Sequence, residues 1–415
     1  MVDLVSLALI VSALIIVIGF LGNYLFEKKG VPDMLFLIFL GIAVGPVLHI
    51  FEPSVVSGLA PYISALALVF ILFDGGIRMG IRQVLSHSPR AVLLAVTGFI
   101  LSMLVVAIFT IYVLNVPPFI GLLFGSIYGG SSSIVVVSLA AKIKISEKGS
   151  TTLVLESAIT DILCIVVSLA LIGVVLTGHT DYAYIGLGIT GRFVIGAVIG
   201  IFSGIAWLIL LKKVAYLPFS YMLTLAIALF AYAISEVLGG SGALSSLLFG
   251  LMLGNENEIL KLLHLGTAPR STVDEGLKRF ESEIAFFIRT FFFVFLGIIA
   301  SIANVTFVFL GIVLSLLLFG VRLGVVRLAT AGSDLKKERS IMSVVLTRGL
   351  AAAVLATIPA QYEEFSAYSG YFINFAVVII MTTAIIATIG VIGISKRQKT
   401  PKKETVKHDS IAGIG

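Results

Sequence analysis

The chain has 415 residues, of which 59% are hydrophobic and 12% charged, with a formal net charge of +6. Soluble domains carry about 25% charged residues, so this composition excludes a soluble globular enzyme and defines a polytopic membrane protein. The basic excess falls in connecting segments and the C-terminal stretch, where it suits an anionic lipid leaflet and implies no nucleic-acid partner. The one cysteine, Cys164, leaves no internal disulfide and argues against a multi-cysteine metal site.

Apolar runs long enough to cross a hydrocarbon core of about 30 Å lie near residues 3–23, 31–49, 56–77, 89–114, 117–141 and 150–176. Further runs lie near 183–211, 219–238, 241–254, 284–302, 304–327, 340–360 and 371–394. The expected fold is therefore all-α, with about 13 transmembrane helices. The first run lacks a basic leading region and a small-residue cleavage site, so it reads as a true span. The stretch 255–283 reads as an amphipathic interfacial connector, with Leu260, Leu263 and Leu265 alternating with Glu258, Lys261 and His264. The tail 395–415 reads as a polar, basic cytoplasmic extension.

Charge distribution tests this reading. With the tail on the cytoplasmic side, the inside connections hold Lys28, Lys29, Arg78, Arg82, Arg90, Lys142, Lys144, Lys148, Lys212 and Lys213. They continue with Lys261, Arg270, Lys278, Arg279, Arg327, Lys336, Lys337 and Arg339, whereas the outside connections around Glu52, Asn115, His179, Gly239, Asn304 and Glu363 hold no Lys or Arg. The positive-inside rule then places the N-terminus outside and the C-terminus in the cytoplasm, in the cell membrane.

Two runs are irregular. Gly125-Ser-Ile-Tyr-Gly-Gly-Ser-Ser-Ser133 puts two glycines and three serines in mid-span, which weakens a continuous helix while the hydroxyls can satisfy freed backbone groups. The second is 347–359, from Thr347-Arg-Gly to Pro359. Such breaks at the membrane midplane are where secondary transporters of inverted-repeat design offer carbonyls and helix ends to ions. No direct internal repeat is visible in this sequence.

Two acids share the run 150–176. A carboxylate at mid-bilayer costs about 2.5–3.5 kcal/mol on insertion scales and marks an ion or proton path, or a buried pair that organises one. Asp161 stands about 16 Å from the inner end, near the depth that Ser131 reaches from the outer side, about 21 Å in. Ser157 shares its face at i−4, and Glu156 is turned about 140° away. Arg348 enters from the inside to a depth close to that of Glu156, with Arg322 somewhat shallower. The expectation is an ion site of Asp161, Ser157 and the serine break, beside a structural pair of Glu156 with Arg348 in which Arg322 can share. Asp74, in Phe73-Asp74-Gly75-Gly76, lies near the inner end of its run, as a funnel residue or a snorkelling one. Arg192 and Arg289 have no evident partner in the sequence.

A single carboxylate ringed by hydroxyls and carbonyls supplies hard oxygen ligands that suit Na+, Li+ or K+. The same carboxylate can take a proton in place of the cation. Alternate exposure of a site that holds one or the other couples the two fluxes. An intramembrane aspartyl protease would need Asp74 and Asp161 within hydrogen-bond reach, which depths of about 6 and 16 Å disfavour. A passive channel would need rings of acids or a carbonyl filter, and no such loop is evident.

With these residues in view, the sequence resembles the monovalent cation:proton antiporter superfamily, nearest the NhaP-type sodium/proton antiporters. The marks are Gly30-Val-Pro-Asp-Met34 with Gly41 and Gly45-Pro46, Leu72-Phe-Asp-Gly-Gly76, Leu155-Glu-Ser-Ala-Ile-Thr-Asp161, Phe249-Gly-Leu-Met-Leu-Gly-Asn255 and Arg348-Gly349. The resemblance implies a homodimer in which segments five and twelve are discontinuous and cross. It also implies an elevator movement of a core bundle (about 89–176 and 304–394) against a dimerisation scaffold (about 1–77 and 183–302), within an antiporter domain of 1–394. It implies no resident cofactor, only transported Na+ and H+. By position it makes Asp161 the ion-binding acid, Ser157 and Ser131 the Na+ ligands with it, Asp74 an accessory acid, and Glu156 with Arg348 the stabilising pair. The sequence departs from the family pattern at Thr160, where Asn is usual, and at Ser131-Ser132, where Thr-Asp is usual. Both changes bear on Na+ against K+, and a lone acid favours one-for-one, electroneutral exchange.

Overall fold

The computed structural model describes residues 4–51, 56, 58–80, 89–132, 145–177, 182–214, 217, 219–264, 273, 275–300 and 305–399. Ser133, Glu52, Arg82, Lys142, Lys144, His179, Arg270, Asn304 and the tail beyond Lys399 lie outside the described residues. The helices are α1 (Leu4–Lys29), α2 (Asp33–Ile42), α3 (Ala60–Arg78), α4 (Pro89–Leu114), α5 (Pro118–Tyr128), α6 (Glu147–Thr177), α7 (Tyr182–Val214) and α8 (Ser220–Val237). They continue as α9 (Gly242–Gly254), α10 (Glu256–Leu262), α11 (Glu275–Ile299), α12 (Val305–Ala329), α13 (Arg339–Val344), α14 (Leu350–Thr357) and α15 (Ser369–Lys399).

Among the described residues, nine helices are long and apolar enough to cross a membrane by length and composition. Four shorter apolar helices, Asp33–Val47, Pro118–Tyr128, Gly242–Gly254 and Leu350–Gln361, occupy the remaining apolar runs. The expected all-helical, multi-span architecture is therefore what forms. Side chains such as Phe20, Tyr112, Phe202, Phe230, Leu328 and Ile389 are exposed on the long helices, the arrangement that contact with lipid favours.

Two boundaries differ from expectation, each for a local reason. α11 begins at Glu275, well before the apolar run, because Lys278–Glu275 and Arg279–Glu283 pair along its polar first turns, at spacings that support a helix. The last nine residues of the supposed interfacial connector, 275–283, are thus the entry of a span. α2 ends in a π-helical turn over Ala43–Val47, where Pro46 removes a backbone donor.

Packing follows two neighbourhoods. α2, α3, α7, α8 and α9 gather around α11 and one another, while α4, α5, α6, α12, α14 and α15 gather around the broken segments. In the second group Phe124 stacks on Phe372 with ring centroids 3.9 Å apart and meets Phe375 edge-on. The Tyr128 hydroxyl donates to the Phe372 carbonyl at 2.5 Å. These contacts fix the end of α5, and so the start of the first break, against α15.

Candidate functional site

The end of one helix meets the interruption of another at one place. α5 stops at Tyr128 and the backbone runs on without helical structure through Ser132, while α13 stops at Val344 and α14 resumes at Leu350. The breaks cross, and the Ser132 N–H donates to the Thr347 carbonyl at 2.8 Å. Glycine allows the approach. A Cβ on Gly130 would lie 2.6 Å from the Cys164 sulfur and 3.1 Å from the Thr160 carbonyl oxygen, and a Cβ on Gly349 would collide with the Ser132 side chain.

A broken helix inside a membrane must find partners for its freed backbone groups. α6 supplies them. The Thr160 hydroxyl accepts from the Ser131 N–H at 3.1 Å and donates to the Ser157 carbonyl at 3.0 Å. The Ser157 hydroxyl donates to the Ser131 carbonyl at 2.8 Å. Ser131 therefore has both backbone groups held by hydroxyls on neighbouring turns of α6, and Thr160 acts as a splint for the break.

Ser157, Asp161 and Cys164 lie along one helix face at spacings of four and three. The first bonds the break and the last packs on Gly130, so Asp161, half-buried, is set beside the crossing between them. The Ser131 hydroxyl donates to Glu156 Oε1 at 3.3 Å. In this structure the Ser131 side chain therefore faces the Glu156 side of α6.

The ion pair also differs from expectation. Glu156 is bound by Arg322, with Nη1 to Oε1 at 2.6 Å and Nη2 to Oε2 at 2.9 Å, in the bidentate geometry of strong guanidinium–carboxylate pairs. Both side chains are under 10% exposed, and Arg322 Nε also donates to the Met342 carbonyl at 3.0 Å, so α6, α12 and α13 are tied at one point. Arg348 is not the partner of Glu156. It donates through Nε to the Tyr128 carbonyl at 2.7 Å and through Nη1 to the Leu346 carbonyl at 3.1 Å, while its N–H donates to the Thr383 hydroxyl at 3.1 Å. Interrupted helices leave carbonyl-rich, negative ends. The guanidinium within the break takes them.

Among the described residues, no hydrogen bond or ion pair joins Asp74 to the crossing. Its Oδ1 accepts from Arg78 Nε at 2.8 Å, and Arg78 also reaches the Ser282 hydroxyl of α11. Asp74 thus belongs to a seam between α3 and α11. Next to Ser282 on α11, Glu281 is buried, and among the described residues one of its carboxyl oxygens has no hydrogen-bond partner. Nothing in the sequence pattern singled it out.

The arginines that lacked evident partners have them. Arg192 lies 3.9 Å from Glu236 at the surface. Arg289 Nη2 bonds Asp33 Oδ2 at 3.1 Å, with side chains 14% and 8% exposed, and Asp33 Oδ1 also accepts the Met34 N–H at 2.9 Å. Arg289→Met is expected to destabilise the protein by about 3–5 kcal/mol, because it strands a buried carboxylate. Thermal unfolding in detergent should show this, with much of the loss recovered in Asp33→Asn/Arg289→Met.

A crossing of two broken helices, braced by a buried ion pair and flanked by a carboxylate, is the architecture of an ion-coupled secondary transporter. The chain belongs to the sodium/hydrogen exchanger family, matching the family described as "Sodium/hydrogen exchanger, transmembrane" over residues 10–396. It is 29% identical over 254 residues to a protein named "K(+)/H(+) antiporter NhaP2" of Shewanella baltica, across 60% of this chain and 43% of that protein. The matched region is thus less than half the length of that relative. It is 25% identical over 349 residues to "Probable Na(+)/H(+) antiporter 2" of Methanocaldococcus jannaschii, covering 80% and 79% of the two chains. Its fold matches the solved structure of the sodium proton antiporter MjNhaP1 from Methanocaldococcus jannaschii with a TM-score of 0.71 at 22% identity, over 92% of this chain and 99% of that one.

Proposed function

We propose that the protein is a secondary active antiporter that exchanges Na+ or Li+ for H+ by alternating access, with cation and proton competing for Asp161. The observation that carries this reading is the half-buried carboxylate fixed beside a crossing whose backbone is held by Ser157 and Thr160 of its own helix. Ser157 lies on the Asp161 face of α6 with its hydroxyl on the Ser131 carbonyl, and in this reading Ser131 and Ser132 of the break complete the oxygen ligands when the cation binds. Charge bookkeeping supports one-for-one exchange. Glu156 cancels Arg322, and ionised Asp161 offsets Arg348, so the four groups sum to zero when the site is empty. One proton or one monovalent cation brings the sum to +1 in either case, and the site then carries equal charge in both directions.

K+/H+ exchange is the second reading. Ser131 and Ser132 place neutral hydroxyls where an acid would give a stronger field, and weaker fields favour the larger, less tightly hydrated ion. The family is one of transporters, and no resident cofactor is proposed. The core bundle of about 89–176 and 304–394 would move against a scaffold of about 1–77 and 183–302, within a homodimer in the cell membrane. Its N-terminus would lie outside and its C-terminus in the cytoplasm. Residues 395–415 would form the basic cytoplasmic tail.

The test is a flux assay in proteoliposomes carrying an imposed pH gradient. Added Na+, Li+ or K+ should collapse the gradient, at a rate indifferent to a clamped membrane potential. Cation flux that ignores the pH gradient would indicate a channel. A rate that follows the potential would overturn one-for-one exchange.

A further inference from the structure

We propose that Thr347, in the second break, supplies a side-chain oxygen to the transported monovalent cation and so sets cation affinity; the inference rests on the antiport reading above. Thr347 is fully buried and, among the described residues, its hydroxyl has no hydrogen-bond partner. Thr290, in α11 and away from the crossing, shares this condition, but most threonines buried in the bundle behave differently. Thr110, Thr330, Thr357, Thr383 and Thr388 each donate to a carbonyl three or four residues back. Thr347 lacks that outlet because the backbone before it is not helical, and a buried hydroxyl without a partner is disfavoured unless something else fills the place.

Its position is fixed from both sides. The Leu346 carbonyl is held by Arg348, the Thr347 carbonyl by the Ser132 N–H, and the Arg348 N–H by Thr383. The Ser132 side chain rests on Gly349, in the space a Cβ would fill. The two breaks therefore bring the hydroxyl-bearing residues Ser132 and Thr347 together at the point where their backbones bond, on the crossing that Asp161 flanks. A hard, neutral oxygen on pinned backbone is the kind of ligand that replaces hydration around Na+ or K+ without adding charge. Thr347 thus tunes affinity, while Asp161 carries the charge and the proton.

Thr347→Val keeps the shape and removes only the oxygen. In the proteoliposome assay it is expected to raise the cation KM by about fivefold to tenfold, the scale of one lost polar contact, with the maximal rate changed by less than about twofold. Thr347→Ser, which restores the oxygen, should return KM to the parent value, and Thr347→Ala reports the same loss should the Val variant fail to insert. An unchanged KM for Na+, Li+ and K+ in Thr347→Val or Thr347→Ala, with or without a gain in thermal stability, overturns the proposal and leaves the hydroxyl a packing group. Parent protein and Asp161→Asn run alongside separate the two claims. A parent without cation-driven gradient collapse would sink the antiport reading itself, whereas an active parent with an unaltered Thr347→Val sinks only the ligand role.

Discussion

Glu156→Gln is expected to destabilise the protein by about 3–5 kcal/mol, enough to cut folding yield and lower the melting temperature in detergent. The amide keeps the shape of the carboxylate and one acceptor oxygen. It removes the charge that offsets Arg322, whose guanidinium is only 8% exposed and bound in bidentate fashion at 2.6 and 2.9 Å. A buried charge stripped of its partner costs far more than the pair contributes when intact, because desolvation of the remaining ion is no longer offset. Three helices feel the loss, since the same guanidinium ties α12 to the Met342 carbonyl at the end of α13. Glu156→Gln/Arg322→Met should therefore recover a substantial part of the stability, as apolar replacements of buried pairs often do. Should Glu156→Gln melt like the parent yet lose exchange, Glu156 would be the transport acid and its assignment as a brace would be wrong.

That pair also marks how far the sequence could be read. Segment count, broken helices and the two acids on α6 were legible because apolar length, Gly-Ser clusters and intramembrane charge are one-dimensional signals. Depth along a helix could likewise be counted from its ends. Partner choice could not, because it depends on how neighbouring helices are rotated and on which backbone groups a break leaves exposed. Arg322 and Arg348 were both at suitable depth for Glu156. The carbonyls of Tyr128 and Leu346 drew Arg348 away, and those acceptors exist only because two helices end there. Arg322, on an unbroken helix, remained for the acid.

The same limit explains Thr160. By residue type it was a smaller hydrogen-bonding group than Asn, with consequences for ion preference. In the fold its hydroxyl serves the Ser131 N–H and the Ser157 carbonyl at once, a double duty that becomes visible only once the first break lies against α6. The Asp33–Arg289 pair was hidden for a different reason. Its members are separated by 256 positions, and nothing in local pattern links the start of α2 to the middle of α11.

Asp161→Asn is expected to reduce cation-driven collapse of the pH gradient to the level of protein-free liposomes while leaving the fold intact. An amide neither releases a proton near neutral pH nor offers a negative oxygen, so both competing ligands lose their anchor in one substitution. Stability should fall by less than in Glu156→Gln, because Asp161 is half-buried, the replacement is isosteric, and the Arg348 guanidinium keeps the Tyr128 and Leu346 carbonyls as acceptors. The charge bookkeeping adds a second expectation. With Asn at this position Arg348 is no longer offset, so the four-residue core carries +1 permanently, the same sum as the loaded site. The variant should bind Na+ and Li+ too weakly to measure, with a melting temperature that no longer rises as cation is added, whereas the parent gains stability through ligand binding to the folded state. Gradient collapse by Na+, Li+ or K+ that persists in Asp161→Asn above the protein-free background would remove Asp161 from the site. Glu156 would then be the next acid to test, through the same two measurements.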